Sequence, residues 1–340
     1  MKIAIYAIAK NEEKFVEKFM LSCKDADIIV VGDTGSTDGT ANKIASFGGH
    51  VLGINIMPWR FEDARNAILA FLPKEIDVCV CLDLDEVLTE GWREKVEKAF
   101  TDFPETDRLR YNYVWNWNAD GTPGLTYFAD KIHRRNCFRW VGPVHEVLKK
   151  DLRLGEEKQQ FITDTLIEHY ADDTKSRSSY LPLLKLATQE AVHDDRWAHY
   201  YARDLMAYGH FTEAFHEFTR HLELPSAVWK AERAASLRYK GDCCWAVKEY
   251  QAAMDWFMLA IKEAPELREG YIAMAQAHRH FGDWDSVIVN CKKALSITER
   301  PNSYISQQWA WGKWPEEMLT EAETMKKGMI NGESSSAQSN

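Results

Sequence analysis

The chain has 340 residues, 45% hydrophobic and 28% charged, with a formal net charge of −10. That length exceeds what one hydrophobic core usually serves, so two domains of roughly 100–200 residues each are expected, and the composition excludes a disordered or fibrous protein. The acidic balance argues against a duplex nucleic-acid partner, whose phosphates need a basic face.

Seven cysteines, odd in number and without a CxxC pair, suit buried thiols in a reducing compartment rather than a disulfide framework. The apolar run Ile3–Ala9 is too short for a signal-peptide core and reads as a buried first strand. Nowhere do about 18 apolar residues run uninterrupted, so no transmembrane segment and a cytoplasmic location are expected.

The first 90 residues alternate strand and helix signals. Strands are expected at Ile3–Ala9, Asp27–Val31, Val51–Ile56 and Ile76–Leu84, and helices at Glu12–Cys23, Thr37–Phe47 and Phe61–Phe71. Such alternation predicts an α/β domain with a mostly parallel, Rossmann-like sheet covered by helices. In such sheets ligands bind beyond the carboxyl ends of the strands. Three of those places carry polar clusters.

The first, Lys10-Asn11-Glu12-Glu13, also reads as the charged start of a surface helix. In the second, Gly32-Asp33-Thr34-Gly35-Ser36-Thr37-Asp38-Gly39-Thr40, the glycines permit a tight turn, and Ser36 or Thr37 is expected to cap the next helix. That leaves Asp33, a carboxylate at the end of an apolar strand, able to accept from a pyrimidine N–H or ribose hydroxyls beside helix N–H groups that favour phosphate. The third is Val78-Cys79-Val80-Cys81-Leu82-Asp83-Leu84-Asp85-Glu86. Continued as a strand, it would put Asp83 and Asp85 on one side, about 6–7 Å apart. Two carboxylates leaving a buried strand repel each other, so a bare structural reading is costly, and Mg2+ or Mn2+ shared with substrate phosphates is the natural resolution; a surface turn is the alternative.

In order, Asn11-Glu12, Asp33-Thr34-Gly35-Ser36-Thr37-Asp38-Gly39-Thr40, Ala64-Arg65-Asn66 and Asp83-Leu84-Asp85 resemble the motif series of family 2 glycosyltransferases of the GT-A fold. The resemblance implies an enzyme using a nucleotide-diphospho-sugar donor, most commonly a UDP-sugar. It implies that Asp33, Ala9, Asn11 and Glu12 line the nucleotide pocket and that Arg65 meets the base or diphosphate. A helix-surface pairing of Arg65 with Glu62 or Asp63 is the alternative. It also implies a divalent metal on the Asp83/Asp85 pair, which would offset charge on the leaving diphosphate.

Further on, Leu109–Asn118 and Leu125–Trp140 read as two strands about the turn Asn118–Gly124, a β-ribbon expected beside the main sheet. Its Tyr111, Tyr113, Trp115, Trp117, Tyr127 and Trp140 suit either stacking on a sugar or a packed ribbon face. The segment Arg139–Glu146 resembles the Trp-x-Gly-x-Val-His-Glu stretch of bacterial family 2 members, including lipopolysaccharide-core glucosyltransferases. His145 and His169 are each a candidate nitrogen ligand for the metal or a structural histidine. Family 2 enzymes invert the anomeric centre with one base, for which Glu146 is the candidate, followed by Glu86; Asp85 is the other catalytic candidate.

From Leu181 the pattern is helical and repeats. Aligning Ala214, Ala253 and Val287, 39 and 34 residues apart, brings Phe218, Phe257 and Cys291, then His221, Ala260 and Ala294, into register. This predicts tetratricopeptide-like helix pairs over 181–300, a Trp-rich helical segment over 301–330 and a disordered tail over 331–340, after a transferase domain over 1–180. The combination resembles bacterial enzymes that join this transferase fold to tetratricopeptide repeats, including peptide-modifying ones. Acceptors therefore span glycan, lipopolysaccharide core, peptide and small molecule, and the repeats are expected to bind a protein partner or a second copy. Two other classes compete. A nucleotidyltransferase would want a basic Gly-rich loop where Lys10-Asn11-Glu12-Glu13 stands, and an inactive scaffold would retain only nucleotide binding.

Overall fold

The computed structural model describes residues 1–172 and 180–337, with side chains described through residue 329. The chain divides into two compact units, Met1–Leu183 and Leu184–Asn340.

The first unit runs β1 (Ile3–Ala9), α1 (Glu13–Ser22), β2 (Ile28–Asp33), α2 (Thr40–Ser46), β3 (His50–Gly53), α3 (Phe61–Phe71), β4 (Val78–Cys81), β5 (Glu86–Leu88) and α4 (Trp92–Asp102). It continues through β6 (Arg108–Val114), β7 (Thr126–Arg134), β8 (Phe138–Val141), β9 (Val147–Lys150) and β10 (Gln159–His169). Eight strands form one sheet in the order β3-β2-β1-β4-β7-β6-β10-β5. The pairs β3/β2, β2/β1, β1/β4 and β6/β10 are parallel; β4/β7, β7/β6 and β10/β5 are antiparallel.

β1 shows why the sequence runs apolar without alternation. Ile3, Ile5, Ala7 and Ala9 join one core with Val16, Phe19 and Met20 of α1, Ile44 of α2, and Trp92, Val96 and Phe100 of α4. Ala4 and Tyr6 join the opposite core with Ile68 and Leu69 of α3 and with Phe138, Trp140 and Leu148 of the β8–β9 hairpin. A strand buried on both faces has no polar side to show. Gly32 of β2 lies so close under α3 that a Cβ there would come within 2.5 Å of Ile68 Cγ1.

Three expectations change. β6 and β7 are no ribbon beside the sheet: they sit inside it, between β4 and β10. The segment expected as one strand to Trp140 breaks after Arg134, and Phe138–Val141 pairs instead with Val147–Lys150 as a separate two-stranded sheet. Alternation reports which way side chains point, not which strand lies alongside. Finally, α2 starts at Thr40 with Gly39 as its N-cap and no side-chain cap, because Ser36 and Thr37 bond to Asn11 instead.

A closed hydrogen-bond chain fixes the second core. Trp140 Nε1 donates to the Tyr6 hydroxyl (2.8 Å), which lies 2.9 Å from His133 Nε2, while His133 Nδ1 lies 2.9 Å from the Arg134 carbonyl. A carbonyl only accepts, so Nδ1 carries the proton and Nε2 accepts from Tyr6. Burial pushes His133 down to about 4, keeping the ring neutral.

α5 (Tyr180–Glu190) leads into a wholly helical second unit: α6 (Asp195–Ala207), α7 (Phe211–Glu223), α8 (Lys230–Ala246), α9 (Tyr250–Glu263), α10 (Arg268–His280), α11 (Trp284–Leu295), α12 (Gln308–Trp311) and α13 (Trp314–Ala337). The nine residues aligned by the repeat all fall on α7, α9 and α11, and all nine are buried. Gly209 and Gly282 take positive φ (82° and 72°) between α6 and α7 and between α10 and α11; between α8 and α9 Lys248 does so (66°). Trp309, Trp311 and Trp314 pack against the core of the last pair, and Trp311 Nε1 donates to Glu269 Oε1 (2.8 Å). α13 runs to Ala337, into the segment expected to be a disordered tail, of which 338–340 lie outside the described residues. Adding residues to a formed helix costs little even for Ser, so composition alone does not end it. Among the described residues no helix is long and apolar enough to cross a membrane, and all seven cysteines are free thiols.

Candidate active site

The ends of β1, β2 and β4 open on one edge of the sheet, where the first two loops are laced together. The Asn11 amide donates to Ser36 Oγ (2.9 Å), and Asn11 Oδ1 accepts from the Thr37 amide (2.7 Å) and hydroxyl (3.3 Å). The Glu12 amide donates to Thr40 Oγ1 (2.8 Å), and Glu13 Oε2 accepts from the Gly39 amide (3.0 Å). Asn11 sits at φ 54°, a left-handed conformation Asn tolerates. The Ala9 carbonyl accepts from the amide and hydroxyl of Thr34 (2.9 and 3.0 Å). Much of the Asp33–Thr40 series thus serves to cross-link two loops. Asp33 ends β2 half-buried, its carboxylate 3.2 Å from the Ser36 amide. Glu12 is buried.

β4 stops at Cys81, so Asp83 and Asp85 do not share a strand face as alternation implied. They occupy a turn, closed by the Glu86 amide on the Asp83 carbonyl (3.0 Å) and by the Asp83 amide on Glu86 Oε2 (2.9 Å). The turn reverses the chain into β5, which pairs with β10 so that Glu86 lies opposite His169. Asp85 Oδ2 comes within 3.4 Å of His169 Nε2.

Arg65 gathers the site from below. It is 5% exposed on α3 and donates through Nε to Glu146 Oε1 (2.5 Å), through Nη2 to Asp83 Oδ1 (2.7 Å) and through Nη1 to Cys81 Sγ (3.2 Å). Its partners are thus Asp83 and Glu146, neither the Glu62 nor the Asp63 of its own helix. Asn66 clamps the hairpin that carries Glu146: its Nδ2 donates to the Trp140 carbonyl (2.9 Å) and its Oδ1 accepts from the Trp140 amide (2.8 Å). The Phe61 amide on the Pro143 carbonyl (3.1 Å) pins the same loop. His145 there has φ 49°, an uncommon conformation for a non-glycine residue, and packs edge-on to Tyr180.

Lys131 of β7 carries no motif and was missed in the sequence, where a lone lysine in a strand reads as a solvated position. Its Nζ bridges Asp83 Oδ2 (3.1 Å) and Glu86 Oε1 (2.8 Å). Burial works against its charge, yet Asp83 and Glu86 hold it protonated well above the usual lysine range. Asp83, which burial alone would push up, is held far below the carboxylate range by Arg65 and Lys131. Glu86 is 1% exposed and takes the Tyr113 hydroxyl as well (2.7 Å).

His169 has Nδ1 2.8 Å from the Trp115 carbonyl, which fixes the proton on Nδ1. Nε2 then presents a lone pair to the Asp85 carboxylate, and two acceptors face each other unless a proton or a cation lies between. Burial lowers the His169 pKa, and the Asp85 carboxylate and Trp115 carbonyl more than offset this, raising it above the ordinary value. Trp115 stacks on the His169 ring (4.6 Å between centroids, 29°), and Trp117 stacks on Tyr170 (5.7 Å, 21°). Of the ribbon aromatics, Tyr111, Tyr113 and Trp140 are core; Trp115, Trp117 and Tyr127 are half-buried. Among the described residues, Asp83, Asp85, His145 and His169 do not form a compact ligand cluster of three.

The family model for Glycosyl transferase family 2 matches residues 5–142. No curated protein matches the chain. Among solved structures, the chain is similar to glucosyl-3-phosphoglycerate synthase from Mycobacterium tuberculosis in complex with Mn2+, uridine diphosphate and glucosyl-3-phosphoglycerate (22% identity over 33% of this chain and 44% of that one, TM-score 0.29). It is also similar to S. aureus TarS 1–349 (13% identity over 96% and 92%, TM-score 0.39) and to MamA (17% identity over 46% and 83%, TM-score 0.31). The chain spans less than half the length of that synthase. The N-terminal unit, with its mostly parallel sheet and with Asp33, Asp83 and Asp85 at the strand ends, thus holds the residues that match Glycosyl transferase family 2.

Proposed function

We propose that the protein is a metal-dependent, inverting glycosyltransferase that moves a sugar from a UDP-sugar to a nucleophile on a glycan, lipopolysaccharide core, peptide or small-molecule acceptor. The observation that carries this reading is the Asp85–His169 pair beside Asp83, Arg65 and Lys131 at the carboxyl edge of the sheet. A carboxylate and an imidazole lone pair aimed at each other fit a divalent cation, which would replace the proton His169 otherwise takes up. Asp85 and His169 would hold Mn2+ or Mg2+, with Asp83 beside them; His145 is the further candidate ligand. Such an ion supplies charge neutralisation on the departing diphosphate.

The chain's own groups divide the remaining work. Asp33, with Ala9, Asn11 and Glu12 around it, receives the nucleoside, and the cross-linked loops hold Asp33 in place. Arg65 and Lys131 add fixed positive charge near Asp83, preorganised by burial for a diphosphate. Asp83 and Glu86 have their oxygens engaged by cations, amides and a phenol, whereas Glu146 meets Arg65 through Oε1 on a hairpin separate from the acidic turn. Glu146 is therefore the proposed base for the acceptor. The helical unit, with the spacing of tetratricopeptide repeats, offers a surface for a protein acceptor or a second copy.

The test is UDP release from a panel of UDP-sugars by wild type, Asp85→Asn and Glu146→Gln, with the product's anomeric configuration read by NMR. Asp85→Asn should abolish metal-stimulated release, and Glu146→Gln should lower kcat with donor binding kept. Retention of configuration would refute the inverting assignment. Transfer of a nucleotidyl group to the acceptor would favour a nucleotidyltransferase, and nucleotide binding without turnover would leave an inactive scaffold.

A further inference from the structure

The helical unit buries a set of titratable side chains that sugar transfer does not use. In the repeat register the last aligned position is Ala260 on α9 and Ala294 on α11, but on α7 it is His221, which has no exposed surface. It faces His199 of α6 and Glu232 and Ser236 of α8, all buried. Ser236 Oγ lies 2.8 Å from His199 Nδ1 and 3.0 Å from His221 Nδ1. His221 Nε2 lies 3.3 Å from Glu232 Oε1, and the Tyr304 hydroxyl donates to Glu232 Oε2.

This network satisfies every member but one. His199 Nε2 is buried and has no hydrogen-bond partner. If Ser236 donates to His199 Nδ1, then Nε2 carries an unused N–H; if His199 Nδ1 donates to Ser236, then Nε2 is an unused lone pair. Either assignment leaves a polar atom stranded in the core, at a cost of roughly 1–3 kcal/mol. A hydrogen-bonded network alone explains the other contacts and leaves this atom over.

We propose that His199, His221 and Glu232 form a buried site for a divalent transition-metal ion of the zinc type. Each residue offers a ligand atom within 4.8 Å of the other two. Two imidazoles and a carboxylate are a donor set that zinc takes, with a fourth place for water. With both Nε2 atoms on the ion, both Nδ1–H groups donate to the two lone pairs of Ser236 Oγ, which is the outer partner that fixes a ligating imidazole. Tyr304 orients the carboxylate in the same way. Arg203 and Arg238 lie close enough to oppose a cation, and the Glu232 carboxylate answers part of that charge. The ligands come from three successive helices, so the ion would tie α6, α7 and α8 together. The site is independent of the crevice and of the reading given to it.

The test uses the full chain. Protein treated with chelator, reloaded with zinc and desalted against a micromolar-affinity competitor should keep one tightly held zinc by elemental analysis, in wild type and in Asp85→Asn alike. His199→Gln and His221→Gln should lose it, and zinc should raise the Tm of wild type and not of His199→Gln. Cobalt loaded into wild type should give the intense visible bands of a four-coordinate site, a readout that needs no variant to fold. No retained zinc and no such bands in folded wild type, or equal retention by His199→Gln, would overturn the proposal.

Discussion

Arg65 is the place where stability and site are most tightly joined. It is 5% exposed, and its donors meet a carboxylate whose side chain is only 9% exposed (Glu146), a half-exposed one (Asp83) and a thiol. Replacing it by Met keeps much of the volume and removes the charge. Glu146, with 9% of its side chain exposed, then keeps a negative charge without its cation, while Asp83 retains Lys131. Breaking a buried pair on one side costs about 3–5 kcal/mol. Glu146→Gln keeps an acceptor for Arg65 Nε and should cost less, about 1–2 kcal/mol. The double variant removes both ends, so its cost should fall short of the sum by at least about 1 kcal/mol. Hydrogen exchange of the β1 and β4 amides reads the opening free energy of the first unit without requiring the whole chain to unfold in one step. Effects that add within about 0.5 kcal/mol, or an Arg65→Met protein as stable as wild type, would refute the view that these charges hold each other in place.

Asn66→Ala removes two hydrogen bonds to the Trp140 backbone and leaves a buried edge unpaired, so it should cost about 2–4 kcal/mol by the same exchange measurement and loosen the hairpin bearing Glu146. His133 gives the first unit an acid sensitivity: its folded pKa of about 4 lies below the ordinary 6.5, so between these values the unfolded chain binds the proton and the folded one does not. Stability should therefore fall as pH drops from 6.5 to 4, by about 3 kcal/mol from this residue, and His133→Gln should flatten that slope in pH-dependent unfolding. His169→Ala should weaken Mn2+ binding in the presence of UDP by at least about tenfold in calorimetry, with little change in UDP affinity in metal-free buffer.

Much of this was legible in the residues. Ile3–Ala9 and Phe61–Phe71 fall where the apolar pattern put them, because a core strand and an amphipathic helix write their period directly into sequence. The repeat alignment found nine buried positions for the same reason. What sequence left hidden was pairing and lateral contact. Nothing in Arg108–Val114 or Thr126–Arg134 says that these strands enter the main sheet. Lys131 acquires meaning only because β7 lies beside β4. Ser36 and Thr37 have the right chemistry for helix caps, and only the neighbouring loop shows that their hydroxyls are spent on Asn11. Asp83 and Asp85 were located by type and order, while their geometry was misread because the strand stops two residues before the first of them.

The proposed function requires that the acidic turn and its histidine bind donor through a cation. The direct measurement is calorimetric titration of UDP and other nucleoside diphosphates into wild type and an Asp83→Asn/Asp85→Asn double variant, each with and without Mn2+. UDP should bind wild type far more tightly with Mn2+ than without, and the double variant should lose the metal-dependent part. UDP binding that is indifferent to Mn2+ and to both substitutions would contradict it.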